Sequence, residues 1–466
     1  MATVKDIVEG KKEVDHDAFI DELEEKNQEF GFMREISEDE DQRSSKSATS
    51  DEEAEDGELS GVPFVVKDAI CAENVTTSAG SKMIEDYRPV FDATVVERLK
   101  QGGAKFYGKT QQDEFGFGTF STNCAFETPK NPHDPERVVG GSSGGAGAIV
   151  AAIDQPVISI GESTGGSITN PAAYNGVVGL TPTYGRVSRY GLISYANSLD
   201  KIGVLAKTVY GAAKGMEVIA GKDRRDQTTS QEDVPEFSDL ETRELKVGVP
   251  EQYLELEGLE DGVRENFEES LKELEEKGAT VEEVDMPMLS ADVALPAYYV
   301  LAMAEASTNL AKFSGMRYGL EDDPEDFEDF NDYFSSVRSE GFGEEAKRRI
   351  LVGTYTRMAG YRDQYYVKAA KVRQKIIDQF RSAFEEYDVL ASPSMPNVAP
   401  RIDEVEQLSP TEVYAMDTLT VGPNLAGIPM VSVPNGTSNG MPTGLHLVGD
   451  HFEEKKVLDA AHTYQR

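Results

Sequence analysis

The chain has 466 residues, 39% of them hydrophobic, which is enough to bury a large core in one big α/β domain or in about two to three smaller ones. It contains no apolar run of about 18 residues and no apolar signal-peptide core at its N-terminus, so we expect a cytoplasmic protein without a membrane span. Because 85 acidic residues against 46 basic ones give a net charge of −39, phosphates would be repelled, which argues against nucleic-acid binding by this chain alone.

Two further compositional features bear on environment and metal content. The acidic residues are spread along the whole chain, which is typical of proteins from a high-salt cytoplasm, where salt screens self-repulsion; the alternative is an ordinary acidic protein with a basic partner. The two cysteines, Cys71 and Cys124, are too few for a disulfide framework, and no Cys/His spacing predicts a zinc site. We therefore expect no bound metal.

The N-terminal region differs in composition from the rest of the chain. Residues 11–27 are helix-prone and carry a thin apolar stripe, whereas residues 37–59 are acidic, rich in serine and nearly free of large apolar side chains. The second segment is predicted to be a flexible linker, with ordered structure beginning near Gly61. This divides the chain into an N-terminal helix and acidic linker over 1–59 and a single domain over 60–466.

Short apolar segments alternate with amphipathic ones through the remainder. Predicted strands cover 62–66, 104–107, 156–160, 245–249, 279–284 and 387–391. Predicted helices cover a segment capped by Asp92 that stops at Gly102, then 146–153, 260–277, and one long or broken stretch over 344–386. Such alternation with short links predicts an α/β fold with a mostly parallel or mixed sheet.

The densest chemical signal is a Gly/Ser loop at 139–147, VGGSSGGAG. A phosphate-binding P-loop is rejected because no Lys follows the glycines. The loop also matches the G-x-S-x-G nucleophile elbow, which requires a downstream histidine, and His446, His451 and His462 are available. A glycine-rich turn with hydroxyl caps is the purely structural alternative.

A second Gly/Ser segment and a lysine favour acyl transfer. The segment 161–168, GESTGGSI, directly follows a predicted strand, so Ser167 can face a cleft together with nearby backbone amides. Lys67 ends the apolar strand of GVPFVVKD, and an amine held in an apolar site can stay neutral and act as a base. Taken alone, a lysine after a strand is usually solvated.

These motifs resemble the amidase signature family over a stretch from about Gly61 to His451. The pieces that carry the resemblance are GVPFVVKD, KTQQDEFGFGTFSTN, NPHDPERVVGGSSGGAG, GESTGGSI and PTYGRVSRYGL. Within the family the chain is most similar to the glutaminase (A) subunits of aspartyl/glutamyl-tRNA amidotransferases, of an archaeal and halophilic type. The resemblance implies a central mixed β-sheet covered by helices on both faces.

The resemblance also implies the catalytic residues. Ser167 would be the nucleophile, Ser142 the relay after a cis Gly141–Ser142 peptide bond, and Lys67 the base. Backbone N–H groups of the loop before the nucleophile would bind the oxyanion, from Thr164, Gly165, Gly166 and Ser167. Two departures from the family pattern lie beside this site: Ser163 replaces the usual aspartate, and Thr169 the usual arginine.

Glutamine recognition and partners follow from the same resemblance. Tyr298, Arg349 and Asp417 would bind glutamine, with the neighbouring Arg348 as the alternative arginine. The chain would release ammonia for the amidation of Glu-tRNA(Gln), Asp-tRNA(Asn) or both, as a ligase of protein biosynthesis that uses glutamine as amido donor. The B and C subunits would complete a heterotrimer, with ATP, Mg and the misacylated tRNA handled by a partner. A free-standing amidase and a catalytically silent scaffold are the rival interpretations.

Overall fold

The computed structural model describes residues 2–37 and 57–466. The helices are α1 Val4–Val8, α2 His16–Phe30, α3 Thr94–Gln101, α4 Gly144–Ala152, α5 Thr169–Asn175, α6 Val209–Ile219, α7 Glu251–Leu254, α8 Asp261–Glu276, α9 Ala291–Asn309, α10 Phe330–Gly341, α11 Glu344–Arg357, α12 Tyr366–Phe384, α13 Ile402–Val405, α14 Pro410–Ala415, α15 Thr418–Ala426 and α16 Glu454–Gln465. The strands are β1 Met33–Ile36, β2 Pro63–Lys67, β3 Lys105–Thr110, β4 Ile158–Ser163, β5 Val178–Thr181, β6 Lys201–Ala206, β7 Lys246–Pro250, β8 Thr280–Val284, β9 Val389–Pro393, β10 Met430–Ser438 and β11 Met441–Val448.

Eleven strands of the described chain form one sheet, in the order β1-β3-β2-β4-β6-β5-β10-β11-β9-β7-β8. The pairs β3–β2, β2–β4, β9–β7 and β7–β8 are parallel, and the others are antiparallel. The sheet is therefore mixed, which confirms the predicted α/β class. The parallel pairing of β2 with β4 brings the carboxyl ends of these two strands side by side.

Helices cover both faces of this sheet, as alternation along β2 illustrates. Phe64 and Val66 join an apolar cluster that includes side chains of α3, α6 and α16. Val65, between them, joins a different cluster formed with α2 and α4. Since successive side chains of a strand point to opposite faces, the two clusters are cores on opposite sides of the sheet, and the arrangement agrees with the fold implied by the family resemblance.

The expectation that ordered structure begins near Gly61 is wrong. β1 pairs in antiparallel fashion with β3 at the end of the sheet, and Phe19 and Leu23 of α2 pack against Val65 and Tyr107. The four-residue strand MREI is too short to show strand periodicity in the sequence, so it cannot be predicted from the hydrophobic pattern. Of the linker predicted over 37–59, residues 38–56 lie outside the described residues.

One predicted helix boundary needs correction, and one prediction that left a break open is resolved. Asp92 does not cap α3: the N-cap is Ala93, and the Asp92 carboxylate instead accepts hydrogen bonds from Glu73 N at 2.8 Å and Lys100 Nζ at 2.9 Å. The helical stretch expected over 344–386 is broken into α11 and α12. Arg348 and Arg349 both lie on α11.

Candidate active site

Lys67 and Ser142 meet in the buried interior beyond the carboxyl end of β2. Lys67 Nζ donates to Ser142 Oγ at 2.7 Å and to the backbone carbonyl of Glu162 at 3.0 Å, and all three residues are buried. Ser142 lies in the Gly/Ser loop that leads into α4, and Glu162 lies near the end of β4. The lysine and its serine partner, far apart in sequence, thus come together because β2 and β4 are parallel neighbours.

The loop around Ser142 requires glycine at position 141 and packs against the buried carboxyl group of Asp113. The Gly141–Ser142 bond is cis, as the resemblance implied. A Cβ on Gly141 would lie 2.3 Å from Asp113 Oδ2, while Asp113 N donates to the Ser142 carbonyl at 3.2 Å. Burial raises the pKa of Asp113 to about 6. Asp113 was not among the predicted site residues, although it stands in the DEFGFGT segment that supported the resemblance.

Ser167 stands on the loop between β4 and α5, next to the loop of Ser142. Ser143 N donates to the Ser167 carbonyl at 3.3 Å, so the two Gly/Ser loops are joined through their backbones. A Cβ on Gly165 would lie 2.8 Å from Tyr298 Oη, and one on Gly166 would lie 2.3 Å from Asn170 Oδ1. Only glycine fits at these two positions, which leaves their backbone amides without a shielding side chain.

The two departures from the family pattern are buried and uncharged. Ser163 Oγ donates to the Gly165 carbonyl at 3.2 Å, and Thr169 Oγ1 donates to the Gly166 carbonyl at 3.3 Å. Both hydroxyls therefore donate hydrogen bonds to backbone carbonyls of the glycine loop itself. These bonds hold the loop without an ion pair at the two positions.

Glu162 is a site residue that the sequence analysis missed. Its Oε2 lies 2.9 Å from Lys67 Nζ, and both side chains are buried. Its Oε1 accepts from Thr164 Oγ1 at 2.8 Å, and the same hydroxyl lies 2.9 Å from Asp200 Oδ1. The only sequence signal was a single acidic residue at the end of an otherwise apolar strand.

The histidine-dependent nucleophile elbow is excluded by these contacts. Ser142 is bonded to Lys67, and Ser143 Oγ donates to the Glu162 carbonyl at 2.9 Å. His446 is buried against Ser392, and burial lowers its pKa to about 3. His451 contacts the Ala426 carbonyl at 3.0 Å, and no contact links His462 to either serine in the described part of the chain.

Arg349 of α11 is enclosed by aromatic rings. The guanidinium lies 5.1 to 5.6 Å from four ring centroids, those of Phe117, Tyr195, Tyr299 and Tyr414. Its Nε donates to Glu345 Oε1 at 2.7 Å and its Nη1 to Tyr195 Oη at 2.6 Å; among the described residues Nη2 has no hydrogen-bond partner. Arg348 also pairs with Glu345, but its side chain is 43% exposed. The buried position therefore belongs to Arg349.

Asp417 and Tyr298 lie near Arg349, because all three contact the ring or the hydroxyl of Tyr299. Asp417 accepts hydrogen bonds from Tyr299 Oη at 2.7 Å and from Asn170 Nδ2 at 3.2 Å, and burial raises its pKa. Asn170 is on α5, three residues beyond Ser167, so Asp417 is connected to the helix that follows Ser167. Tyr298 is buried against Gly165. Tyr298 thus contacts the glycine loop and Asp417 is joined to α5 just beyond it, whereas Arg349 lies over the ring of Tyr299, whose hydroxyl donates to Asp417. Tyr195 and Tyr299 were not among the predicted residues.

Metal-binding and membrane-spanning features are both absent from residues 2–37 and 57–466. No group of His, Cys, Asp and Glu in these ranges is arranged to hold a metal ion, and Cys71 and Cys124 are free thiols. No helix of this described part is long and apolar enough to cross a membrane.

Comparison with known proteins gives consistent matches along the chain. The sequence model of the Amidase family matches residues 17–458. The chain is 46% identical over 415 residues to the A 2 subunit of the glutamyl-tRNA(Gln) amidotransferase of Clostridium acetobutylicum, covering 88% of this chain and 85% of the relative. It is 49% identical over 404 residues to the A subunit of the glutamyl-tRNA(Gln) amidotransferase of Archaeoglobus fulgidus, covering 86% and 85%.

Solved structures of similar chains have the same fold as this chain. The crystal structure of the glutamyl-tRNA(Gln) amidotransferase A subunit from Thermotoga maritima superimposes with a TM-score of 0.81 at 36% identity, covering 99% of this chain and 94% of that one. The peptide amidase of Stenotrophomonas maltophilia superimposes with a TM-score of 0.80 at 26% identity, covering 100% and 96%. The mixed sheet with helices on both faces is therefore the amidase signature fold.

Proposed function

This chain belongs to the Amidase family and is an amidase-type enzyme, and on that basis we propose that it is the glutaminase subunit of a tRNA-dependent amidotransferase. The observation that carries the proposal is the 2.7 Å contact from Lys67 Nζ to Ser142 Oγ, beside the glycine loop that bears Ser167. The relatives named as A subunits of glutamyl-tRNA(Gln) amidotransferases support glutamine as the amide and Glu-tRNA(Gln) as an acceptor; Asp-tRNA(Asn) is included in the proposal.

In the proposed mechanism, a proton relay activates the nucleophile. The neutral amine of Lys67 accepts the proton of Ser142 Oγ as Ser142 accepts the proton of Ser167 Oγ, and the Ser167 oxygen bonds to the side-chain amide carbon of glutamine. Backbone N–H groups of Thr164, Gly165, Gly166 and Ser167 stabilise the oxyanion. The relay returns a proton to the departing nitrogen, ammonia leaves, and water then hydrolyses the acyl-enzyme.

The proposed glutamine site complements a zwitterion. The guanidinium of Arg349 would bind the α-carboxylate through Nη2, the group that its protein partners leave available. Asp417 would bind the α-ammonium, and an ammonium beside it would favour its ionised form against the effect of burial. Tyr298, against Gly165, would line the passage between the two ends of the substrate.

The partners follow from the division of labour in such a complex. We propose the B and C subunits as partners in a cytoplasmic heterotrimer, in which another subunit binds ATP, Mg and the misacylated tRNA. The net charge of −39 supports this assignment, because a strongly acidic surface disfavours tRNA contact by this chain. The same charge supports an archaeal, halophilic type of enzyme.

A free-standing amidase that acts on small amides is the second candidate function. The similarity to the peptide amidase fold favours it, since that fold also serves a different amide. The lower identity of this match, 26% against 46% and 49% for the amidotransferase subunits, ranks it below the glutaminase.

The deciding experiment measures glutamine hydrolysis with and without candidate B and C subunits. We expect ammonia and glutamate to be released, the rate to rise with the partners, and a Ser167→Ala variant to lose both hydrolysis and the trapped glutamyl adduct. A glutamyl adduct on another residue, or unchanged hydrolysis in Ser167→Ala, would refute the assignment. Turnover of diverse amides by an isolated monomer would favour the free-standing amidase.

A further inference from the structure

Behind Lys67 runs a buried line of side chains that the relay described above does not use. Glu162 Oε2 lies 2.9 Å from Lys67 Nζ, and Glu162 Oε1 lies 2.8 Å from Thr164 Oγ1. Thr164 Oγ1 in turn lies 2.9 Å from Asp200 Oδ1. All four residues are buried. A Cβ on Gly116 would lie 3.5 Å from both Ser142 Oγ and Glu162 Oε2, so the backbone of Gly116 flanks this end of the line.

A count of protons constrains the charges in this line. A threonine hydroxyl carries one proton and can donate to one acceptor only, whereas an ionised carboxylate can only accept. Thr164 contacts two carboxyl oxygens at hydrogen-bond distance. One of the two carboxyl groups must therefore carry a proton and donate it to the hydroxyl.

The surroundings decide which carboxyl is neutral. Glu162 has a basic partner at contact distance, because Lys67 Nζ lies 2.9 Å from its Oε2. Asp200 accepts from Tyr195 N at 3.0 Å and Ala196 N at 2.8 Å but has no cation at contact distance among the described residues. Burial and the charge of Glu162 raise the pKa of Asp200 well above its ordinary value, against the opposing influence of Arg189. The proton thus belongs on Asp200.

We propose that Glu162 is a positioning residue that fixes Lys67 Nζ against Ser142 and sets the pH at which Lys67 becomes a base, with Asp200 held as a neutral acid that leaves the single negative charge on Glu162. This inference rests on the proposed function of Lys67. The charged groups facing the pair are Asp200 on one side and Asp113, which acts on Lys67 from the other side. The Glu162 carboxylate lies 2.9 Å from Lys67 Nζ, so removing its negative charge would remove an electrostatic attraction for the protonated amine.

The first test is the pH dependence of kcat/KM for glutamine in Glu162→Gln, which keeps the size of the side chain and one acceptor oxygen but removes the charge. We expect the acid-limb midpoint to move to lower pH by about one unit or more. Asp200→Asn, which imitates the neutral acid, should leave the midpoint within a few tenths of a unit. Glu454→Gln is the matched control, since Glu454 is an equally buried carboxylate paired with Arg186. An unmoved or raised midpoint in Glu162→Gln overturns the role of Glu162, and a shift of the same size in Asp200→Asn overturns the proton assignment.

Two measurements separate this inference from the proposed function. Labelling of Ser167 by phenylmethylsulfonyl fluoride requires an activated serine but no glutamine recognition, so its pH midpoint should shift in Glu162→Gln even if glutamine proves not to be the substrate. Labelling with the same midpoint in wild type and Glu162→Gln, or no labelling at all, overturns the inference. At neutral pH the infrared absorption of neutral carboxylic acids should be weaker in Asp200→Asn than in the wild type; an unchanged spectrum overturns the neutral Asp200 without any appeal to activity.

Discussion

Adjacent arginines on α11 offer a sharp test of how glutamine is recognised. Both bond to the carboxylate of Glu345, yet Arg349 is buried among four aromatic rings and Arg348 is 43% exposed. Removing Arg349 alone would leave part of a buried ion pair uncompensated, which destabilises proteins by about 3–5 kcal/mol. The informative variant is therefore the double substitution Arg349→Met with Glu345→Gln, compared with Arg348→Ala.

The size of the effect follows from the contact that would be lost. A hydrogen bond between charged groups contributes about 1.5–3 kcal/mol, which corresponds to about a 10- to 150-fold change in binding. We expect KM for glutamine to rise by that factor in the double variant, with a smaller change in kcat. Arg348→Ala should change KM by less than about threefold, because exposed ion pairs contribute about 0–1 kcal/mol.

The assay compares glutamine with 4-aminobutanamide, which lacks only the α-carboxylate. The double variant should lose affinity for glutamine while hydrolysing 4-aminobutanamide about as well as the wild type does, and thermal melts should show that it remains folded. Equal losses on both substrates would mean that Arg349 does not bind the carboxylate. A larger KM effect in Arg348→Ala than in the double variant would transfer the role to Arg348.

Three further expectations concern the relay, a buried lysine and salt. Lys67→Ala and Ser142→Ala should each lower kcat by several orders of magnitude, and the double variant should be little worse than either single one, because the residues act as one unit; multiplicative losses would contradict a shared relay. Burial lowers the pKa of Lys201 from 10.5 to about 7, so the unfolded chain binds more protons between these values and the free energy of unfolding should rise with pH across that window. Lys201→Met should accordingly raise the free energy of unfolding most at pH 7 and below, by about 5 kcal/mol, and this gain should shrink toward pH 10; a pH-independent difference in stability would refute the assignment. Between about 0.1 M and 1 M salt the Debye length falls from about 10 Å to about 3 Å, so the Tm of a chain with charge −39 should climb over that interval; a flat series of melts would reject the halophilic type.

The segments of the proposed hydrolytic site could be singled out from the sequence because their signals are local, whereas the relay role of Ser142 and the base role of Lys67 came from the family resemblance. Lys67 ends an apolar strand, and the two Gly/Ser loops each adjoin a strand or helix with a clear pattern, so their proximity followed once β2 and β4 were neighbours. Glu162 escaped notice because nothing in an isolated glutamate reveals that a lysine 95 positions away lies 2.9 Å from it. β1 escaped for a related reason, since four residues carry too little periodicity to identify a strand.

The recognition part could be assigned only through the family resemblance. Arg349, Asp417 and Tyr298 lie on separate elements, and each alone has the character of a surface ion-pair member or a core tyrosine. Their common setting depends on contacts of long sequence separation, such as Arg349 Nη1 with Tyr195 Oη and Asp417 with Asn170. Residue type and spacing carry no information about such contacts, so Tyr195 and Tyr299 were not predicted.

The aromatic enclosure around Arg349 has a consequence for how such enzymes diversify. The groups proposed to break the amide bond come from residues 67–167, whereas Arg349 itself lies on α11 and its enclosure is completed by rings of α9 and α14. Mutations in these later elements can reshape what enters the cleft while leaving the bond-breaking apparatus intact. A fold organised in this way lets natural selection explore new amides at little risk to the chemistry, and the peptide amidase of Stenotrophomonas maltophilia, with a TM-score of 0.80 at 26% identity, shows how far substrates can diverge on one scaffold.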